Sequence, residues 1–290
     1  MSTLVLLALT GLGLSGLYFL VASGLSLVFG LADVLNFAHG LFLSVGAYAT
    51  WSLSQKGAPF GVAVAGGVVA GAVTASIVEL VLIRPLYRRP IAQVLVTVGL
   101  SLAGVALLQA VWGADARPFP RPSWTRGVTP VAGAAVPNYS LLLAVAAALV
   151  LVALLAFLRF TRIGLVIRAG VEDRSMVTAL GIDVRKAFTL VFAIGGAAAA
   201  LAGILAGVSF GTVSPGQGTS LLIFGFIVVV IGGMGSVAGT AWAAVVVGLV
   251  QVFVNYYASG IGDVCVVALL ALVLLVRPQG LAGLTGGALA

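Results

Sequence analysis

Apolar residues run along this chain in long unbroken blocks, separated by short polar, glycine-rich or proline-rich breaks. The blocks fall at roughly 4–31, 37–54, 60–83, 91–113, 139–158, 187–209, 220–234, 238–257 and 262–276. A helix crosses about 30 Å of hydrocarbon with about 20 residues, each rising about 1.5 Å. Backbone polar groups in lipid must bond within their own segment, which makes helices the default. A barrel would alternate polar and apolar positions in short strands, and these blocks do not alternate. The pattern predicts an all-α, polytopic transmembrane helical bundle of eight or nine spans, in a single domain covering 1–290. The count stays open because two places are irregular. The first two blocks flank a polar break from Asp33 to Gly40, and the block at 220–234 is short and ends in Gly232, Gly233, Met234, Gly235 and Ser236. Each is expected to be a broken or re-entrant segment. Their position in opposite halves of the chain also fits an inverted-repeat architecture, in which broken helices build a transport pathway.

Composition agrees. The 290 residues are 62% hydrophobic and 7% charged, where soluble domains carry about 25% charged residues. The 39 glycines sit inside apolar blocks, where small residues let helices approach closely. The block from Met1 to Phe29 is longer than a signal-peptide core of about 7–15 residues, so a retained span is expected. Cys265 is the single cysteine, which excludes an intrachain disulfide.

The formal charge of +7 is concentrated in a few loops between spans, as the positive-inside rule requires, and does not call for nucleic acid. Arg84, Arg88 and Arg89 form one basic loop. The segment 159–186 is another, with Arg159, Arg162, Arg168, Arg174, Arg185 and Lys186 against Glu172, Asp173 and Asp183. Two spans separate these loops, so both lie on one side, the cytoplasm, and Arg277 fits there too. The loop 114–138 is then external. Its prolines at 118, 120, 122, 130 and 137 stiffen it, either as a surface for an external partner or as a plain connector.

Chemistry is sparse. Lys56 and Lys186 are the two lysines, and neither stands in a glycine-rich phosphate-binding loop. ATP hydrolysis therefore belongs to another chain if it drives this one, and the chain is not expected to be an enzyme. His39 is the only histidine. A catalytic metal takes about three protein ligands, so no metal and no cofactor are expected. Asn36 and His39 either bond the backbone where the helix breaks or line a watered path, together with Gly40 and, in the later half, Gly232, Gly233 and Gly235. Asp33, Glu79 and Asp263 lie at span ends. Glu79 stands about one turn before Arg84, as an interfacial carboxylate beside that cation or as a proton-coupling group.

The cytoplasmic loop 162–186 is the most informative stretch. Glu172 and Asp173 suit a helix start, where carboxylates meet the positive end of the dipole. Met176, Val177 and Leu180 follow on one apolar face, Gly181 is a natural stop, and Asp183 can cap the span beginning near Val184. A short amphipathic helix over 172–181 is expected, lying in the membrane interface or docked in the groove of a cytoplasmic motor.

Four blocks in order resemble one family. VLNFAHGLFLSVGAY at 34–48 is similar to the N-A-H-G…G-A-Y signature of branched-chain amino-acid-type ABC importer permeases. RIGLVIRAGVEDRSMVTALGID at 162–183 resembles their cytoplasmic coupling segment, VIGGMGSVAGTAWAAVVVG at 230–248 their glycine-rich late segment, and VRPQGL at 276–281 their C-terminal end. The resemblance implies an inner-membrane permease subunit that moves branched-chain or other amino acids, urea or short amides. It implies as partners a second permease chain, alike or identical, two cytoplasmic ATPase subunits and a periplasmic or lipoprotein binding protein, besides membrane lipid. Glu172 to Ile182 would then be the coupling helix, supported by Arg168, and Asn36, Ala38, His39 and Gly40 would lie at the first broken segment. Leu41 departs from the pattern, where such proteins often carry a polar residue. The competing class is a stand-alone secondary transporter or channel, which predicts transport without ATP and an ionisable residue in mid-membrane.

Overall fold

The computed structural model describes residues 2–32, 36–87, 89–172, 176–177 and 184–281. Among them ten α-helices form one bundle: α1 (Ser2–Ala32), α2 (His39–Gln55), α3 (Phe60–Val78), α4 (Pro90–Trp112), α5 (Asn138–Phe160), α6 (Arg162–Glu172), α7 (Val184–Phe210), α8 (Gln217–Gly232), α9 (Val237–Tyr257) and α10 (Gly262–Val276). Six stretches are long and apolar enough to cross a membrane: Ser2–Gly30, Phe60–Leu86, Pro90–Trp112, Asn138–Phe160, Arg185–Phe210 and Val237–Tyr257. Helices α8 and α10 are apolar but shorter. The chain is a multi-pass, all-α membrane protein.

Helix α1 is the axis. Leu17, Leu20, Val21, Ala22 and Leu25 are fully buried, and α1 touches α5, α7, α8 and α9. Its glycines make the approach possible: a Cβ on Gly30 would stand 2.8 Å from Gly235 Cα, and one on Gly13 would stand 2.8 Å from Ser140 Cα. Between α3 and α7, Gly71 and Ala75 meet Gly196 in the same way. Lipid gives helices no hydrophobic reason to associate, so close contact of small residues supplies the dispersion energy. On the outside, Leu95 and Leu102 of α4 and Leu149 and Val152 of α5 are exposed, as expected of side chains solvated by lipid.

Helix α3 does not end cleanly. It continues as a π-helical turn, Glu79–Ile83, and a 3-10 turn, Arg84–Leu86. The loop between α4 and α5 is folded rather than extended. Its strands β2 (Val128–Val131) and β3 (Ala134–Pro137) pair antiparallel, with Val131 opposite Ala134. Ala132 and Gly133 both take positive φ, 48° and 80°, as the tightest right-twisted hairpins require. Strand β1 (Arg117–Pro118) pairs with β4 (Thr212–Val213), just after α7. Phe119 is buried over Gly207, and Trp51 at the end of α2 donates to the Pro118 carbonyl at 3.1 Å. The proline-rich loop is therefore pinned to α2 and α7.

Candidate translocation and coupling site

The break after α1 returns the chain to the interior. His39, the first residue of α2, is completely buried, and its Nε2 lies 3.1 Å from the Val21 carbonyl of α1. A carbonyl only accepts, so Nε2 carries the proton. Val21 and Gly24 precede the end of α1 by eight to eleven residues, about 12–16 Å of helix. Helix α2 thus begins deep inside the protein. Asn36 prepares that start: its Oδ1 accepts from the Ala38 amide at 3.0 Å and its carbonyl accepts from the His39 amide at 3.2 Å. This is the local turn that Asn side chains favour. His39 Nδ1 and Asn36 Nδ2 are buried with no hydrogen-bond partner.

Helix α8 begins at the same place. Gly40 packs on the Gly218 carbonyl, and Ser44 Oγ donates to the Pro215 carbonyl at 3.2 Å. Two helix N-termini therefore converge inside the bundle, each bringing the positive end of its dipole. A cavity of about 10 Å³ remains there, lined in part by Ser44, Ser214, Gln217 and Gly203. That is room for a single water molecule at most. In the later half, the break that answers α2's lies just before Gln217, at the start of the short block expected at 220–234. Gly232, Gly233 and Gly235 instead form the tight turn from α8 into α9, with φ of 96° and 86° at Gly233 and Gly235. Gly235 packs against Gly30 and Gly233 against Gly280, and beside them the Leu281 amide donates to the Ile231 carbonyl at 2.8 Å.

The sequence set Glu79 beside Arg84, and the structure shows that pair together with two partners the sequence did not name, Tyr87 and Thr189. The Glu79 carboxylate is fully buried in the π turn. Arg84 reaches it with Nε to Oε1 at 3.1 Å and Nη2 to Oε2 at 3.2 Å. Tyr87 donates to Oε1 at 2.6 Å, and Thr189 of α7 donates to Oε2 at 2.9 Å while accepting from Arg84 Nη2 at 2.6 Å. A buried carboxylate is tolerable only when paired and hydrogen-bonded, and this one has four bonds. Thr189 is 110 residues away in sequence, so no local signal identified it. A second network joins α1, α9 and α10: Tyr18 donates to Gln251 Oε1 at 2.5 Å, and Gln251 Nε2 donates to Asp263 at 2.6 Å.

In the segment between α5 and α7, Glu172 is the last residue of α6 rather than a helix start. Thr161 opens α6 by accepting from the Gly164 amide at 2.9 Å, an N-cap. The charges at Arg162 and Arg168 hid the periodicity of this helix, whose buried positions are Gly164, Ile167 and Gly170. Met176 and Val177 are helical, the first 62% exposed and the second buried at 3%. Arg168 is half-buried in α6. Asp173, Leu180 and Gly181 lie outside the described residues. Among the described residues no cluster of His, Cys, Asp and Glu is fit to hold a metal.

Comparison with known proteins adds the decisive observation. Residues 7–276 match the family model described as branched-chain amino acid transport system / permease component. The chain belongs to this family. It is 31% identical over 287 residues to the high-affinity branched-chain amino acid transport system permease protein LivH of Escherichia coli (strain K12), covering 94% of this chain and 93% of the relative. It is 30% identical to the permease protein BraD of the corresponding system of Pseudomonas aeruginosa, covering 94% of both chains. It is 25% identical to a probable branched-chain amino acid transport permease protein LivH of Methanocaldococcus jannaschii, covering 93% of this chain and 89% of the relative. No solved structure matches. The blocks at 34–48, 162–183 and 230–248 all fall within the matched span.

Proposed function

We propose that this permease is the membrane-spanning subunit of an ATP-driven importer in the inner membrane, carrying branched-chain amino acids or a related small solute such as urea or an amide. The observation that carries the reading is the full-length similarity to permeases named for branched-chain amino acid transport. Separate ATPase subunits supply the energy, a second permease chain completes the pathway, and an external binding protein delivers the cargo.

The mechanism is alternating access. The cytoplasmic segment 172–183 docks on the ATPase through Met176, Val177 and Leu180, with Gly181 ending the helix and Arg168, Glu172 and Asp173 framing it. In sequence this segment directly precedes α7, whose Thr189 holds the Glu79–Arg84 pair. Movement of the docked segment thus reaches α7 first, then α3 through that joint. Farther along α7, Gly203 packs on Leu43 of α2, so the shift reaches the convergence of α2 and α8. There Asn36, His39 and Gly40 widen or close the path, while Gly232, Gly233 and Gly235 act as the hinge between α8 and α9. ATP drives the cycle only to the extent that the closed motor binds one permease state better than the other.

The test is uptake by proteoliposomes holding the purified complex. Met176→Asp and Gly181→Pro are expected to abolish ATP-dependent uptake and release the ATPase while the permease stays in the membrane. Undiminished uptake with either variant would exclude the coupling role, and uptake without ATP would favour a stand-alone transporter or channel.

A further inference from the structure

Helices α3, α4 and α5 all turn large apolar residues outward, among them Val69, Leu95 and Leu149. Their inner faces differ. The buried residues of α3 are Ala63, Gly67, Gly71, Ala75 and Val78, and those of α5 beyond Ser140 are Leu143, Ala147 and Leu154. Small or apolar side chains are what close helix packing in lipid asks for. Helix α4 instead turns Gln93, Thr97 and Ser101 inward, followed by Gly104 and Leu108. Steps of four, four and three residues set Gln93 to Gly104 in one line on the helix. Polar side chains at such depth commonly bond across helices and hold them together. Here they do not. Gln93 Nε2 reaches the Ile83 carbonyl at 3.5 Å, the outer limit of a hydrogen bond, and its Oε1 is buried with no partner. Thr97 donates to Val94 of its own helix at 3.0 Å. A buried polar atom left unpaired is costly, and a native one calls for an explanation beyond packing. The line also has a direction. It begins in the first turn of α4, beside the π turn that holds Ile83, and ends at Gly104, which packs on Leu41, two residues beyond His39. Eleven residues of helix cover about 16 Å, so the line joins the Arg84 end of the bundle to the depth at which α2 begins.

We propose that Gln93, Thr97 and Ser101 line the half of the solute path that runs from the start of α2 to the turn after α3. The inference rests on the transport reading above and names residues for it on a helix that reading left out. In this conformation the line is shut, with all three residues buried. When it opens, one amide and two hydroxyls replace water around the passing solute. A lining of donors and acceptors without charge suits a solute of no net charge, such as a zwitterionic amino acid or an amide.

The test is thiol labelling in a Cys265→Ser background. Gln93→Cys, Thr97→Cys and Ser101→Cys are compared with the outward controls Leu95→Cys and Leu102→Cys. Each permease is purified with whatever subunits accompany it, placed in lipid nanodiscs and treated with a small cationic methanethiosulfonate, without nucleotide and with ATP. Labelling is followed by mass spectrometry. A thiol reacts as the thiolate and only where water reaches it, so the three inner cysteines should label about tenfold faster than the controls in at least one condition. Labelling no faster than the controls in both conditions overturns the proposal. Function is read separately, as uptake of leucine and of urea by proteoliposomes. Gln93→Leu and Thr97→Val keep the size and remove the polar atoms, and should lower uptake several-fold while the unfolding temperature stays at the wild-type value. Undiminished uptake by both variants would make the line a wetted crevice with no part in transport, and a fall in unfolding temperature that accounts for the lost uptake would make it packing. Either result overturns the proposal. Labelling needs neither cargo nor hydrolysis, so a wild type that moved neither solute would count against the cargo reading while the cysteines still reported on the lining.

Discussion

Glu79 concentrates more bonds than any other buried acid among the described residues, and its removal separates two effects. Glu79→Gln keeps the shape but leaves Arg84 facing a neutral amide. Unpairing a buried ion costs about 3–5 kcal/mol, and because the Arg84 side chain is 33% exposed the expected loss is nearer 1–3 kcal/mol. Thermal unfolding in detergent checks it: Glu79→Gln should unfold earlier than wild type, and E79Q/R84Q should recover part of the difference. Equal destabilisation by the single and double variants would mean that the pair adds nothing beyond its separate members. Gly203 supplies a steric counterpart. A side chain there would collide with the Leu43 backbone, so Gly203→Val is expected to cost about 1–3 kcal/mol. Gly99→Ala, which meets nothing within 4 Å, should leave the unfolding temperature unchanged.

The span positions were legible because the length of an apolar block alone decides whether lipid will hold it. The blocks at 91–113 and 238–257 became α4 and α9 within a residue or so. Depth was not legible. Nothing in residues 36–40 says that His39 will sit beside Val21, because that depends on α1 and α8 together. The glycines at 232–235 looked like a broken span and are a turn, since a positive φ and a close approach favour the same residue. At this scale the short start of α2 makes a prediction. His39→Ala removes the bond to Val21 and leaves that helix's entry unfixed, so uptake should fall several-fold while the protein remains folded and inserted. His39→Gln, whose amide can also donate to a carbonyl, should retain more activity than His39→Ala. Equal uptake by both variants would show that the bond to Val21 is dispensable.

At the scale of the whole molecule, α1 is enclosed from Ser15 to Val28 while α4 and α5 face outward. The loop between α4 and α5 closes one end by joining β1 to β4 across the bundle, and the turn at Gly233 closes the other. This enclosure has a consequence for how the protein is made. Helix α1 leaves the ribosome before the helices that cover it, and its long partner α9 ends at Tyr257, 225 residues after Ala32. At about 5–20 residues per second, that interval lasts on the order of 10–45 s. During it, the glycine-lined faces of α1 meet only lipid or a helper protein. Chains cut before α9 should therefore be degraded from the membrane faster than the full chain, and supplying α9 and α10 as a separate fragment should slow their loss. The helix at the centre of the permease is made well before the neighbours that cover it.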